Sequence, residues 1–361
     1  MPKKSKNTAP KEKGGFNIKN KAVWSVLFVV IAALSVWAVT SQAKDFTFSA
    51  FYEFLTTANP IWLCSAVASM LCFIIFEGLA LLVICKAFGY GRSFGRGFVY
   101  SAGDIYFSAI TPSATGGQPA SAFFMMKDGI PGTFVTVALV VNLVMYTASI
   151  VALGLLALLF TPGMFFNFTA GSKLLIIIGF IMQIGLLIFF IMLLTQKRLV
   201  GAICSGTIKL LARIKIIKNL DKMLEKVNKK IDNYSSYTAH IKGKGAMLLI
   251  VFLFNLIQRF AQIAVTPFSY LASGGNLSEA IKVLFTQIYV VVGSNCIPIP
   301  GAMGVTDYLM LDGFEELSVA NPGFLELLSR SLSFYVCIII CGVTVLFSYL
   351  ALSKKKRRMG K

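Results

Sequence analysis

Long apolar runs separated by short polar stretches recur along this chain and restrict its fold more than any other feature. A helix rises 1.5 Å per residue, so about 20 apolar residues cross the roughly 30 Å of hydrocarbon in a bilayer. Runs of that length occur at 22–40, 61–87, 133–160, 173–195, 247–271 and 327–350. In lipid every backbone N–H and C=O must be bonded internally, which leaves helices for such segments. Only 14% of the 361 residues are charged, against about a quarter in a soluble domain. An all-α polytopic integral membrane protein is expected, not a soluble enzyme.

Charge falls in blocks between these runs. The formal net charge of +19 comes largely from basic stretches at 1–21, 86–97, 196–244 and 354–361, whereas 41–60, 161–172 and 312–326 are poor in Lys and Arg. Cytoplasmic loops carry such an excess because they face an anionic leaflet, which attracts each basic residue by about 1 kcal/mol. The basic blocks and both termini are therefore assigned to the cytoplasm, and nucleic acid is not an expected partner. Residues 1–21 and 352–361 read as cytoplasmic basic tails flanking a transmembrane domain at 22–351. The basic start followed by Ser41-Gln42-Ala43 also has features of a secretory signal. The run at 22–40 is longer than a usual signal core, so an uncleaved anchor is expected. Within 196–244, Leu220, Leu224, Val227 and Ile231 recur at helical spacing among lysines. That pattern is an amphipathic helix, either lying on the inner membrane surface or packing on neighbouring elements.

The alternation of loop charge closes only if two further segments return to the side they came from. Phe98–Lys127 must enter and leave on the cytoplasmic side, and Leu277–Leu311 on the outer side. Each carries a helix-breaking motif: Thr111-Pro112-Ser113-Ala114-Thr115-Gly116-Gly117-Gln118-Pro119 in the first, Pro298-Ile299-Pro300-Gly301-Ala302-Met303-Gly304-Val305-Thr306-Asp307 in the second. Proline removes a backbone donor and glycine relaxes dihedral limits, so both segments break at membrane depth. Backbone freed in this way must be buried in protein or line a wet cavity. Pro112 to Gly116 matches Pro300 to Gly304 in having Pro, small residues, then Gly at the fifth position. Two re-entrant or half-helix hairpins related as an inverted repeat would produce this pattern, and transporters of several folds bind substrate between such broken helices.

Ionisable residues inside apolar runs are costly and mark functional sites. Glu77, Arg259 (flanked by Gln258 and Gln262), Arg330 and Asp104 are of this kind. Each also has a structural alternative: Glu77 pairing with Lys86, Arg330 reaching the interface. Arginine suits a phosphate because its planar fork bonds two oxygens at once. The seven cysteines are scattered and His240 is the sole histidine, so no metal site and no cofactor are expected.

At the two broken segments the chain resembles the lysylphosphatidylglycerol synthase transmembrane (flippase-like) family. Ile110 to Pro119 followed by Lys127-Asp128-Gly129-Ile130 looks like its first signature. Pro298 to Gly304 looks like the second, and Arg330 falls where its last helix usually has an arginine. Asp307 stands where the second motif often ends in glutamate. The resemblance implies a bacterial inner-membrane protein that moves lipid between leaflets. In the multiple peptide resistance factor, a full-length member, the membrane part flips aminoacylated phosphatidylglycerol that a separate soluble domain makes. No loop here reaches the 100 or more residues of such a domain, so the lysyl transfer itself is not expected of these residues. The leading expectation is a translocase for a phospholipid with an anionic or aminoacylated headgroup, or for a lipid-linked precursor. Thr111, Gln118 and Thr306 would solvate the headgroup, and Arg259 or Arg330 would hold its phosphate. The alternatives are a phosphatidylglycerol lysyltransferase-type enzyme or its accessory subunit, and a small-solute transporter. Association into a homo-oligomer is left open.

Overall fold

The computed structural model describes residues 52, 56–111, 115–213, 220–241, 243–297, 302, 304–315, 317 and 322–359. The expected tail 1–21, the expected span 22–40, Pro112, Pro298, Pro300, Gly301 and the last two residues lie outside the described residues. Among the described residues all regular structure is helical. In chain order the helices are α1 (Pro60–Ala87), α2 (Phe94–Ile110), α3 (Gly117–Lys127), α4 (Gly132–Phe160), α5 (Pro162–Asn167), α6 (Ala170–Thr195) and α7 (Lys197–Arg213). They continue with α8 (Leu220–Ile241), α9 (Gly245–Ala272), α10 (Leu277–Ser294), α11 (Val305–Glu315), α12 (Pro322–Arg330) and α13 (Cys337–Met359), the last two joined by a π-helical turn at Ser331–Val336.

Helix ends follow local chemistry. The Asn59 side chain accepts from Ile61 N at the start of α1, with Pro60 in the first turn where no intrahelical N–H is needed. Gly89, Gly129 and Gly274 have φ of 81°, 82° and 91°, the left-handed conformation that stops a helix without a Cβ clash. Asn276 caps α10 by accepting from Glu279 N at 2.9 Å.

Among the described residues, six helical stretches are long and apolar enough to cross a membrane: Pro60–Ala87, Gly132–Phe160, Ala170–Thr195, Gly245–Ala272, Leu277–Ser294 and Gly323–Ala351. The outer face of α6 presents Leu174, Ile177, Ile181, Ile188 and Phe189, a surface suited to acyl chains rather than water. The protein is a multi-pass α-helical membrane protein. Two details differ from expectation. The first limb of the second broken segment, α10, has 18 residues, about 27 Å of helix, because nothing interrupts its apolar run before Pro298. The last span is not one continuous α-helix: its hydrogen-bond ladder slips at Ser331–Val336.

The main core forms where α1 lies antiparallel along α9. Asn59 N donates to Ala272 O at one end (2.9 Å) and Lys244 Nζ to Ala87 O at the other (2.7 Å). The second of these ends also gathers Lys86, Arg92 and Arg96 and is the basic end of the molecule. Helix α8 packs its Tyr234, Tyr237 and Ile241 into this core at the same end. Tyr237 meets Phe88 and Phe134, and its hydroxyl shares a 3.1 Å hydrogen bond with that of Tyr90. That bond, more than burial, raises the pKa of Tyr90 above the usual tyrosine value. Of the two expectations for the amphipathic segment, packing on neighbours describes this half of it.

Both broken segments fold back as antiparallel helix pairs. In α2–α3, Tyr100 reaches Asp128 while Asp104 and Ser108 lie against Gly117. In α10–α11, Gly313 faces Thr286 and Leu309 faces Gly293. The first pair has its base at the basic end, next to Ala87 in the chain; the second has its base near Ala272, at the opposite end. Each is seated by a close glycine crossing. A Cβ on Gly78 would meet Gly97 O at 2.6 Å, and one on Gly179 would meet Val292 O at 2.2 Å, so only small residues let these helices approach.

Candidate functional site

Charged side chains from α1, α2 and α9 meet in the interior, beside the middle of α4. Glu77, Asp104 and Arg259 are only 7%, 6% and 7% exposed. The Glu77 and Asp104 carboxyls lie within hydrogen-bonding reach of one another, and the Arg259 charge acts on both. Gln258 Nε2 donates to Glu77 Oε2 at 3.1 Å; Gln118 Nε2 and Ser108 Oγ donate to the two oxygens of Asp104 at 2.7 and 3.1 Å. The Arg259 guanidinium sits over the Tyr146 ring, 4.0 Å from its centroid, and 5.2 Å from that of Phe73. Its Nη1 donates to Gln262 Oε1 at 2.6 Å. Tyr146 OH in turn donates to Asn295 Oδ1 at 2.9 Å, at the end of α10. The cluster therefore touches both hairpins.

Local sequence places these groups. Asp104 is in the third turn of α2, and the chain must reverse just beyond it so that Gln118 can reach back. Thr111 holds the reversal, donating to Phe107 O at 2.6 Å and accepting from Gly116 N at 2.8 Å. A Cβ on Gly117 would lie 2.1 Å from Asp104 Oδ1 and 2.0 Å from Ser108 Oγ, so glycine there is a condition for the carboxylate's position. Pro119 occupies the first turn of α3, where its missing N–H leaves no intrahelical bond unmade.

Helix α9 carries a polar stripe through the interior. Asn255, Gln258, Arg259, Gln262, Thr266 and Ser269 recur at three- and four-residue spacing, which puts them on one face. Asn255 Nδ2 bonds Asn142 Oδ1 at 3.0 Å, and Thr266 shares a 2.6 Å hydrogen bond with Ser329. Several buried atoms on it or beside it make no hydrogen bond among the described residues: Gln258 Oε1 and Arg259 Nε on α9, and Gln118 Oε1 on α3. Such orphans are uncommon in native interiors and are normally satisfied by water or a ligand.

A second charged group forms between α11 and α12. Arg330 Nε lies 2.5 Å from Asp307 Oδ1 and 3.0 Å from Glu326 Oε1. Asp307 also accepts from Gly304 N at 2.8 Å, closing the start of α11, and Thr306 Oγ1 donates to Ala302 O at 3.0 Å. Ala302 and Gly304 both have positive φ, 49° and 80°. A third group clamps the base of the first hairpin. Arg96 forms a bidentate ion pair with Asp128, Tyr100 OH donates to the same carboxylate at 2.5 Å, and Arg92 Nη2 donates to Asp128 O at 2.7 Å.

Of the residues singled out from the sequence, Glu77, Asp104, Gln118, Gly117 and Arg259 come together. Thr111, Gly116 and Pro119 shape the first break. Gly304, Thr306, Asp307 and Arg330 form the separate second group, and Pro112, Pro298, Pro300 and Gly301 lie outside the described residues. Glu77 does not pair with Lys86, which is exposed, and Arg330 is buried rather than reaching for an interface. Tyr146, Asn295 and the Asn142–Asn255 pair do not stand out in the sequence. The polar spacing along α9 was the available signal for Asn255; Tyr146, alone in an apolar run, offered none.

A helical membrane protein with two opposed broken hairpins around a buried acid–arginine cluster is thus the class defined by fold and site. The sequence model of the lysylphosphatidylglycerol synthase TM region family matches residues 23–341, and the chain belongs to that family. No curated protein and no solved structure matches it.

Proposed function

We propose that the protein is a phospholipid translocase of a bacterial cytoplasmic membrane, with its basic end inside, and that it moves phosphatidylglycerol or its lysyl ester between leaflets. The observation that carries this reading is the mid-span cluster of two carboxyls and one guanidinium between hairpins entering from opposite ends. A lysyl ester of phosphatidylglycerol presents two ammonium groups and one phosphate. Glu77, Asp104 and the free amide oxygens of Gln118 and Gln258 are acceptors suited to ammonium; Arg259, with Nε unbonded, is a donor suited to phosphate. The polar stripe on α9 supplies a path for the headgroup while the acyl chains stay in lipid, and the family supports a lipid substrate. The long-range demand is only to lower the cost of bringing a charged headgroup to membrane depth, which a preformed polar site does.

The test is leaflet exchange in liposomes holding fluorescent phosphatidylglycerol or its lysyl ester, read by dithionite quenching. Fluorescence loss beyond the outer-leaflet fraction is expected with the wild-type protein and not with Arg259→Ala. Absence of exchange with both lipids would sink the reading and turn attention to small solutes.

A further inference from the structure

The charges at the cluster do not balance. Glu77 and Asp104 could bring two negative charges, and Arg259 supplies one positive charge. Among the described residues, the other titratable groups facing them are Tyr146 from α4 and Cys337 and Cys341 from α13, none of which is a cation at neutral pH. Gln258, Gln118 and Ser108 complete the surroundings and are neutral. An uncompensated charge at this depth is expensive enough that a carboxyl takes up a proton instead. Two carboxyls within hydrogen-bonding reach hold such a proton between them, because like charges that close do not both ionise.

We propose that Glu77 and Asp104 share one exchangeable proton, and that binding of a headgroup with one net positive charge displaces it. This rests on the translocase reading and adds its energy coupling. In the empty site the shared proton leaves the pair at minus one, balanced by Arg259. A lysyl ester headgroup, two ammoniums and one phosphate, adds plus one. On its entry the carboxyl O–H bond breaks, the electron pair stays on the carboxylate oxygen, and the proton passes to water on the side from which the headgroup came. The ammonium then donates to the freed carboxylate, and the site is neutral again. After the headgroup leaves on the other side, the pair takes a proton from that side before it returns. One proton thus moves opposite to each cationic headgroup, and a proton gradient drives lipid transport.

The test combines two readouts on the intact protein in detergent. Infrared spectra at neutral pH should contain a protonated-carboxyl C=O band in the wild type. Both Glu77→Gln and Asp104→Asn should lose it, because either remaining carboxyl alone is balanced by Arg259. A short-chain lysylphosphatidylglycerol, added in weak buffer with a pH indicator, should remove the wild-type band and release about one proton per bound molecule. A band that is absent from the wild type, or that survives in both single variants, overturns the shared proton. Binding of the probe with no proton release overturns the coupling while leaving the translocase reading intact. A probe that does not bind at all counts against translocation of this lipid and against the exchange built on it, and the band still decides whether the pair shares a proton.

Discussion

The two hairpins look alike in sequence and differ in what they hold. The first reaches the middle of the protein with charge: Asp104 on one limb and Gln118 on the other meet Glu77 and Arg259. Among the described residues, the second sends only Asn295 to that centre, through Tyr146, and keeps its carboxylate, Asp307, in an ion pair with Arg330 whose acid side chain is 34% exposed. A shared breaker pattern gives a helical hairpin in both segments, yet the glycine at its fifth position has φ of −80° in the first (Gly116) and 80° in the second (Gly304), and the chemistry is decided by the residues around it. The first hairpin supplies Asp104 and Gln118 to the buried cluster; the second holds its own ion pair apart from it.

That contrast is sharpest at the two arginines. Arg259→Ala leaves two buried carboxyls without their cation; removing one partner of a buried pair costs about 3–5 kcal/mol, and lipid exchange should fall at least 100-fold with the protein still present in the membrane. Arg330→Ala removes a more exposed pair, and exchange should fall less than tenfold. Equal losses would erase the distinction between the hairpins. Arg259→Lys should not restore exchange, since an ammonium lacks the flat face that stacks on Tyr146.

The glycines at the two breaks come next. Gly117→Val places atoms where Asp104 and Ser108 stand and should reduce exchange about tenfold or more. A Cβ on Gly304 would meet no atom of the described residues within 4 Å, and its positive φ is what resists a side chain. Gly304→Ala should therefore cost about 1–2 kcal/mol of stability and leave exchange close to normal. Thermal unfolding in detergent beside the exchange assay separates the two effects.

The smallest difference lies where each hairpin is tied down. Asp128→Asn weakens a carboxylate that holds Arg96 and Tyr100 and should lower stability by about 1–3 kcal/mol. Asp312, which accepts from Thr169 at 3.0 and 3.1 Å on an exposed surface, should tolerate Asp312→Asn with a loss below about 1 kcal/mol.

Much of the architecture was legible because run length is a physical requirement of the bilayer. The runs 61–87 and 133–160 became Pro60–Ala87 and Gly132–Phe160, and Gly and Pro marked both breaks. The π turn at Ser331–Val336 was not legible: Ser331 and Ser333 there donate to the carbonyls of Leu327 and Ser329, but serines in regular helices make the same bonds. At the site, Glu77, Asp104 and Arg259 announced themselves as charges in apolar sequence. Their meeting did not, since it depends on α1 and α9 being antiparallel and on Gly117 leaving room. Tyr146 illustrates the remainder: a tyrosine in an apolar span is ordinary until the fold sets an arginine on its face.

The clamp at Asp128 has a mechanical consequence. Arg92, Arg96 and Tyr100 bind the first hairpin at its base, and Asp104 with Gln118 binds its limbs near the tip. A strut braced at both ends transmits force and does not hinge. In the proposed translocase, opening toward either leaflet then falls to the surrounding frame, and the last helix, with its slipped turn at Ser331–Val336 beside Arg330, is one part of that frame whose hydrogen-bond register departs from regularity.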